Sequence, residues 1–191
     1  MVKHNNSKQR AICFLAGAAA LVATGVVDGQ SSGRTSTAKA FVPVTATVSR
    51  RCTISTVSAL AFDSYSPIGT NAAASLSSSG QVSIACSKGA VGMTIGVDNG
   101  AHFTLAQRHM VGAKTGAFLY YEIFRPPGNA PGAVCTYPGA TPWNASGAGL
   151  LTLSSSTAKT ARVYNVCGTI PAGQDVPADS YSDSIAVTLN F

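Results

Sequence analysis

Apolar and polar residues alternate in several short segments of the chain beyond residue 40. The pattern is plainest in Val42-Pro43-Val44-Thr45-Ala46-Thr47-Val48, where Val42, Val44, Ala46 and Val48 share one face, and in Ile185-Ala186-Val187-Thr188-Leu189-Asn190-Phe191. A period of two marks a half-buried strand. Further strands are predicted over 81–86, 93–97, 119–124 and 161–170. Turn signals separate them at Ser66-Pro67, Ser79-Gly80, Asn99-Gly100, Pro126-Pro127-Gly128 and Pro171-Ala172-Gly173. Residues 125–159 are loose and rich in Pro, Gly, Ser and Thr, with one short strand expected over 149–154 and the only tryptophan, Trp143. About six to eight short strands with regular turns point to an all-β sandwich built as one domain.

Pro43 limits what the first of these segments can be. Proline donates no ladder hydrogen bond, so it belongs at a strand's start or on a sheet edge. The segment also precedes Cys52, the first anchor of the core. Two readings stay open on pattern alone: an ordinary first strand, or an apolar arm tethered at one end.

The one apolar run without alternation lies at the start. Residues 1–10 carry three basic residues and no acid, and 11–27 are uncharged and rich in Ala. A basic start followed by a short apolar stretch is an export signal; the run is at the lower limit for a spanning helix, and Ala and Gly make it weakly hydrophobic. Small residues suited to cleavage occur at Ala38-Lys39-Ala40 and at Ala23-Thr24-Gly25, so residues 1–40 are expected to be signal and leader.

Export changes the meaning of the composition. The chain is 46% hydrophobic and only 10% charged, with a formal net charge of +6. So few charges exclude a solvated helical bundle, and so many apolar residues exclude a disordered polar tail. The net charge invites a nucleic-acid reading, yet beyond Ala40 eight basic residues face six acidic ones, and that reading lapses. Cys13 leaves with the signal. The four that remain, Cys52, Cys86, Cys135 and Cys167, are expected to form two disulfides, with three connectivities open.

Chemistry-bearing residues are sparse. There is no Cys-x-x-Cys, and only His102 and His109 follow the signal, so no metal or other cofactor is expected. No Gly-x-Ser-x-Gly elbow occurs. Asp98 and His102 flank a turn, and a Ser–His–Asp triad could assemble only through the fold; solvated loop residues account for both better. Arg50-Arg51, the only adjacent basic pair, is expected at a solvated strand end. Asn144-Ala145-Ser146 fits a glycosylation acceptor. No catalytic residue is predicted.

Several short runs, taken in order, resemble the spore coat protein U domain family, which includes subunits of archaic chaperone–usher pili. They are Cys52-Thr53-Ile54, Phe62-Asp63-Ser64-Tyr65-Ser66-Pro67, Gly80-Gln81-Val82-Ser83-Ile84-Ala85-Cys86, Arg108-His109-Met110, Leu119-Tyr120-Tyr121-Glu122-Ile123-Phe124, Trp143, Cys167-Gly168-Thr169-Ile170-Pro171 and Tyr181-Ser182-Asp183-Ser184-Ile185. Asp63, Asn144 and Asp179 stand where the family usually has Gly, and Cys135 is outside its general pattern. The resemblance implies an incomplete immunoglobulin-like β-sandwich, completed by a donor strand from a neighbouring subunit.

On this resemblance residues 41–49 are the donor arm, presenting Val42, Val44, Ala46 and Val48, and 50–191 are the sandwich domain. Ile185, Val187, Leu189 and Phe191 form the strand that borders the open groove and faces a chaperone. Cys52 pairs with Cys86, and Cys135 with Cys167. The implied protein is a non-enzymatic structural subunit of a surface fibre or coat, exported through the periplasm. Its implied partners are copies of itself or related subunits, a periplasmic chaperone and an outer-membrane usher, and neither nucleic acid nor a cofactor. The competing reading is a secreted adhesive or glycan-binding module, with Trp143 and Tyr137 as a sugar platform.

Overall fold

A computed structural model describes residues 36–191; the predicted export segment, as far as residue 35, lies outside the described residues. The chain divides at Thr45/Ala46, and the compact unit is Ala46–Phe191.

Nine strands occur among the described residues: β1 (Cys52–Ser58), β2 (Leu76–Cys86), β3 (Thr94–Val97), β4 (Arg108–Gly112), β5 (Phe118–Phe124), β6 (Leu151–Thr152), β7 (Arg162–Ile170), β8 (Tyr181–Ser182) and β9 (Val187–Asn190). The larger sheet has the order β1-β2-β7-β5-β4-β8, the smaller β6-β3-β9, and every pairing is antiparallel. Alternation decides which side chains point inward. Val82, Ile84 and Cys86 of β2, Tyr164 and Val166 of β7, and Leu119, Tyr121 and Ile123 of β5 meet Met93, Ile95 and Val97 on and beside β3 in one core. Two antiparallel sheets closing on a shared core, with non-sequential strand order, make an immunoglobulin-like all-β sandwich.

Trp143 is fully buried in that core, so it offers no sugar platform. Its Nε1 donates to Ile95 O at 3.0 Å, which satisfies the indole as burial requires. Arg108 points inward beside it, 4% exposed, and spends its guanidinium on carbonyls: Nη2 donates to Trp143 O at 2.8 Å and to Asp98 O at 2.7 Å, and Nε to Asp98 O at 3.0 Å. A buried cation without such acceptors would be strongly destabilising.

The strands expected at 81–86, 93–97, 119–124, 149–154 and 161–170 all have counterparts. β1, β4 and β8 exceed the expected set. β1 lacks a clean alternation because almost all of it is exposed at a sheet edge, and β8 is two residues long. The segment 42–48 shows the reverse: its alternation is clear, yet it pairs with no strand. A strand is defined by its neighbours, and periodicity alone supplies none.

Disulfides join Cys52 to Cys86 and Cys135 to Cys167. The first ties directly opposed residues of β1 and β2. The second pins the loose connection against the outer face of β7, where Asn165 Nδ2 also donates to Ala133 O at 2.9 Å. Replacing Cys135 and Cys167 together by Ala should lower the unfolding free energy by about 2–4 kcal/mol. Urea titration under oxidising conditions, read by tryptophan fluorescence, checks this.

Candidate functional site

Between β1 and its continuation on one side and residues 175–187 on the other, the sandwich is open. The opening is a groove of about 860 Å³. Its floor is the inner face of the larger sheet: Val82, Leu119, Tyr121, Val166 and Ile170. These five side chains are themselves buried in the core, so the groove lies beside packed side chains and not over a bare sheet.

One wall is the run from Thr56 to Ile68. After Ser58 the chain leaves the edge of the larger sheet and crosses onto its inner face, which two glycines permit. A Cβ on Gly80 would lie 2.8 Å from Leu60 N and 3.1 Å from Ala59 C, and one on Gly168 would lie 2.7 Å from a Leu60 methyl. Leu60 and Phe62 pack against the core over this gap. Ser78 Oγ donates to Ala61 O. Farther on, Tyr65 Oη donates to Pro171 O at 2.9 Å and accepts from Gln174 N–H at 3.0 Å, anchoring the wall to the turn after β7.

The other wall is the C-terminal segment. Asp98 N–H donates to Ala186 O at 3.0 Å, and Ala186 N–H donates to Asp98 Oδ1 at 2.9 Å. By strand alternation the neighbouring peptide groups of Ile185 and Val187 are directed away from β3, toward the free edge of the smaller sheet. Ile185, Val187 and Leu189 are half-buried on the core side. Ile185 and Val187 line the groove. Leu189 packs on the core outside the groove lining, and Phe191 is about half exposed.

Asp183 holds the acidic end of this wall, its side chain 3% exposed. Its Oδ2 accepts from Tyr121 Oη at 2.6 Å. Its Oδ1 accepts from the His102 ring Nδ1 at 2.8 Å and from the Ala101 and His102 amides at 3.1 and 3.2 Å. Burial, reinforced by the hydrogen bond to Asp183 and its charge, raises the Tyr121 phenol well above its ordinary range and keeps it a donor. His102 and Asp183 resemble two thirds of a triad, but no hydroxyl bonds the other ring nitrogen of His102 among the described residues. Asp98 is occupied by the Gly100 and Ala186 amides. His109 lies on the opposite face of the sheet beside Phe118 and Tyr120. Among the described residues no three His, Cys, Asp or Glu side chains are grouped to hold a metal ion.

Of the predicted arm, Val42, Val44 and Val48 are exposed at 80%, 93% and 90%, and Ala46 is exposed too. The wall made by Leu60 and Phe62 was not anticipated. Its signal lies in Gly80 and Gly168: glycine inside a strand marks the close approach of another backbone.

The spore coat protein U domain model matches residues 38–188. The chain belongs to the spore coat protein U domain family. Among solved structures it is similar to a chain in the crystal structure of the CsuC–CsuE chaperone–tip adhesion subunit pre-assembly complex from archaic chaperone–usher Csu pili of Acinetobacter baumannii. Identity there is 21% and the TM-score 0.50, over 76% of this chain and 41% of that one. The spore coat protein U chain thus spans less than half the length of that neighbour. No curated protein matches it by sequence.

Two outcomes follow from the walls. Gly80→Val should push the Ala59–Leu60 backbone off the sheet and destabilise the fold by about 1–3 kcal/mol, measured by urea unfolding. Asp179, which accepts from the Lys114 and Thr115 amides at 2.8 Å each, is held down to about 2 from 3.8, chiefly by those amides. The depressed carboxyl stabilises the folded state above pH 3.8, and that contribution fades as pH falls toward 2. Asp179→Asn should therefore flatten the stability–pH curve in that window.

Proposed function

We propose that this spore coat protein U domain chain is a structural, non-enzymatic subunit of an exported surface fibre or coat, assembled by strand donation. The open groove carries the reading. It combines an apolar floor with the free sheet edge at Ile185 and Val187, which is a template for an added strand. Residues 41–49 supply an added strand of the right kind: Val42, Val44, Ala46 and Val48 alternate on one face. Each valine contributes about 1.5–3 kcal/mol on full burial, and each ladder hydrogen bond about 0.5–1.5 kcal/mol. Arm into groove is a head-to-tail contact that does not close on itself, so it propagates as a filament.

Family membership and the similarity to a chain of a pilus chaperone–subunit complex support the same reading. In it, residues 1–40 direct export through the periplasm, a chaperone strand occupies the groove before assembly, and an outer-membrane usher passes the subunit to the surface. Residues 50–191 are the sandwich that accepts the strand.

Deleting residues 41–49 should leave a soluble subunit that still fills its groove with an added strand but forms no fibres. Val44→Asp should weaken assembly strongly while leaving the body folded. Electron microscopy of secreted material is the readout, and fibres formed by the deletion would overturn the reading.

A further inference from the structure

Charge along the groove is one-sided. Its lining includes Asp63, Asp175, Asp179 and Asp183 and no Lys, Arg or His. These are four of the six acids beyond residue 40. Asp63 lies two residues before Tyr65, and Asp175 is next to Gln174, whose amide donates to Tyr65 Oη. Asp179 is on the turn after β4, and Asp183 is on Tyr121. Asp183 is committed to His102 and Tyr121. Asp179 stays ionised on the Lys114 and Thr115 amides. Asp63 and Asp175 are exposed. His102–Asp183 is the only ion pair among the described residues, so no Lys or Arg answers these acids.

The arm is charged in the opposite sense. Its apolar stretch runs from Val42 to Val48 between Lys39 and the pair Arg50-Arg51, and both arginines are exposed. We infer that the acids of the groove recognise Arg50-Arg51 of a second copy, and so fix the direction and register of the inserted arm. This rests on the strand-donation reading and adds what that reading lacks. Apolar alternation has a period of two, so the four small apolar residues fit the groove equally well after a slip of two positions. Charge removes the degeneracy.

The spacings agree. Arg50 follows Val48 by two residues, as Asp183 precedes Ile185 by two. Antiparallel addition with Val48 opposite Ile185 sets Ala46 opposite Val187 in the groove, and carries Val44 and Val42 on alongside Leu189 and Phe191 beyond its lining. It brings Arg50, on the same face as Val48, to Asp183, with Arg51 on the other face. A slip of two residues in one direction puts Arg50 beside Ile185, desolvating a cation against an apolar wall. A slip in the other keeps Arg50 among the acids, opposite Tyr181, but carries Val48 off the apolar wall to face the Asp183 carboxylate. Parallel addition brings the single Lys39 to the acids instead.

The test is association of a synthetic peptide of residues 38–51 with the purified protein, followed by stopped-flow anisotropy. The native peptide should associate about tenfold more slowly when salt is raised from about 20 mM to about 500 mM. An Arg50→Glu, Arg51→Glu peptide should be about tenfold slower than native at low salt and nearly equal at high salt. Protein carrying Asp63→Lys and Asp175→Lys, both exposed positions, should reverse that preference. Equal rates for native and charge-reversed peptides would overturn the inference and leave strand donation standing, provided a Val42→Asp, Val44→Asp peptide fails to bind. If that apolar-deleted peptide binds as well as native, or if no peptide binds, the strand-donation reading falls and the electrostatic one with it.

Discussion

An apolar sheet face must be covered, and in this molecule part of the larger sheet's inner face is covered only by Leu60, Phe62 and half-buried residues of the C-terminal segment, beside a groove. Trp143, Met93, Ile95 and Val97 close one half of the core. Val82, Leu119, Tyr121, Val166 and Ile170 border the groove and are buried in the core against which Leu60 and Phe62 pack. Gly80 and Gly168 let one wall cross close above the sheet. Asp98 and Asp183 hold the other wall through backbone amides and Tyr121, so a segment with few cross-strand partners still keeps its place.

The two walls are stabilised differently, and the difference matters for strand addition. The Leu60–Phe62 wall is held by packing and by Tyr65, with its apolar side chains turned into the core. The Ile185–Val187 wall is held by hydrogen bonds to one side only, leaving peptide groups directed at the groove. An inserted strand would find side-chain pockets against the first and a ladder against the second. Packing rewards any apolar strand, whereas a ladder requires a set direction and register.

Strands with one wet and one dry face were legible in the chain: β2, β3, β5, β7 and the C-terminal segment all announce themselves by alternation. β1 and β8 were not, because an exposed edge strand has no dry face to impose a pattern and a two-residue strand has no period. The arm was legible for the same reason the strands were. That it stays unpaired was one of two readings the pattern left open and the one the family resemblance implied, since pattern records what a segment can bury and is silent on where. The Leu60–Phe62 wall is the instructive omission. Its residues carry no alternation, and the information sat on the opposite strands as two glycines whose missing side chains make room. Asp183 was named as part of a motif, but its grip on His102 and Tyr121 joins residues far apart in sequence, which no local pattern contains.

The low charge of the chain takes on a sharper meaning in this light. A surface of hydroxyls and glycine suits a subunit whose contacts are backbone ladders and small apolar side chains, because long charged side chains at a strand-addition edge obstruct pairing. Charge is then most informative where it is retained. Four of the six acids beyond residue 40 line the groove, and the only adjacent basic pair lies two residues past Val48. Exposed ion pairs stabilise a complex little, by about 0–1 kcal/mol. Their larger effect is on encounter and on discrimination between arrangements that apolar contacts leave equivalent. A strand that could enter a uniform groove in either direction, and at any even offset, needs that kind of asymmetry more than it needs further binding energy.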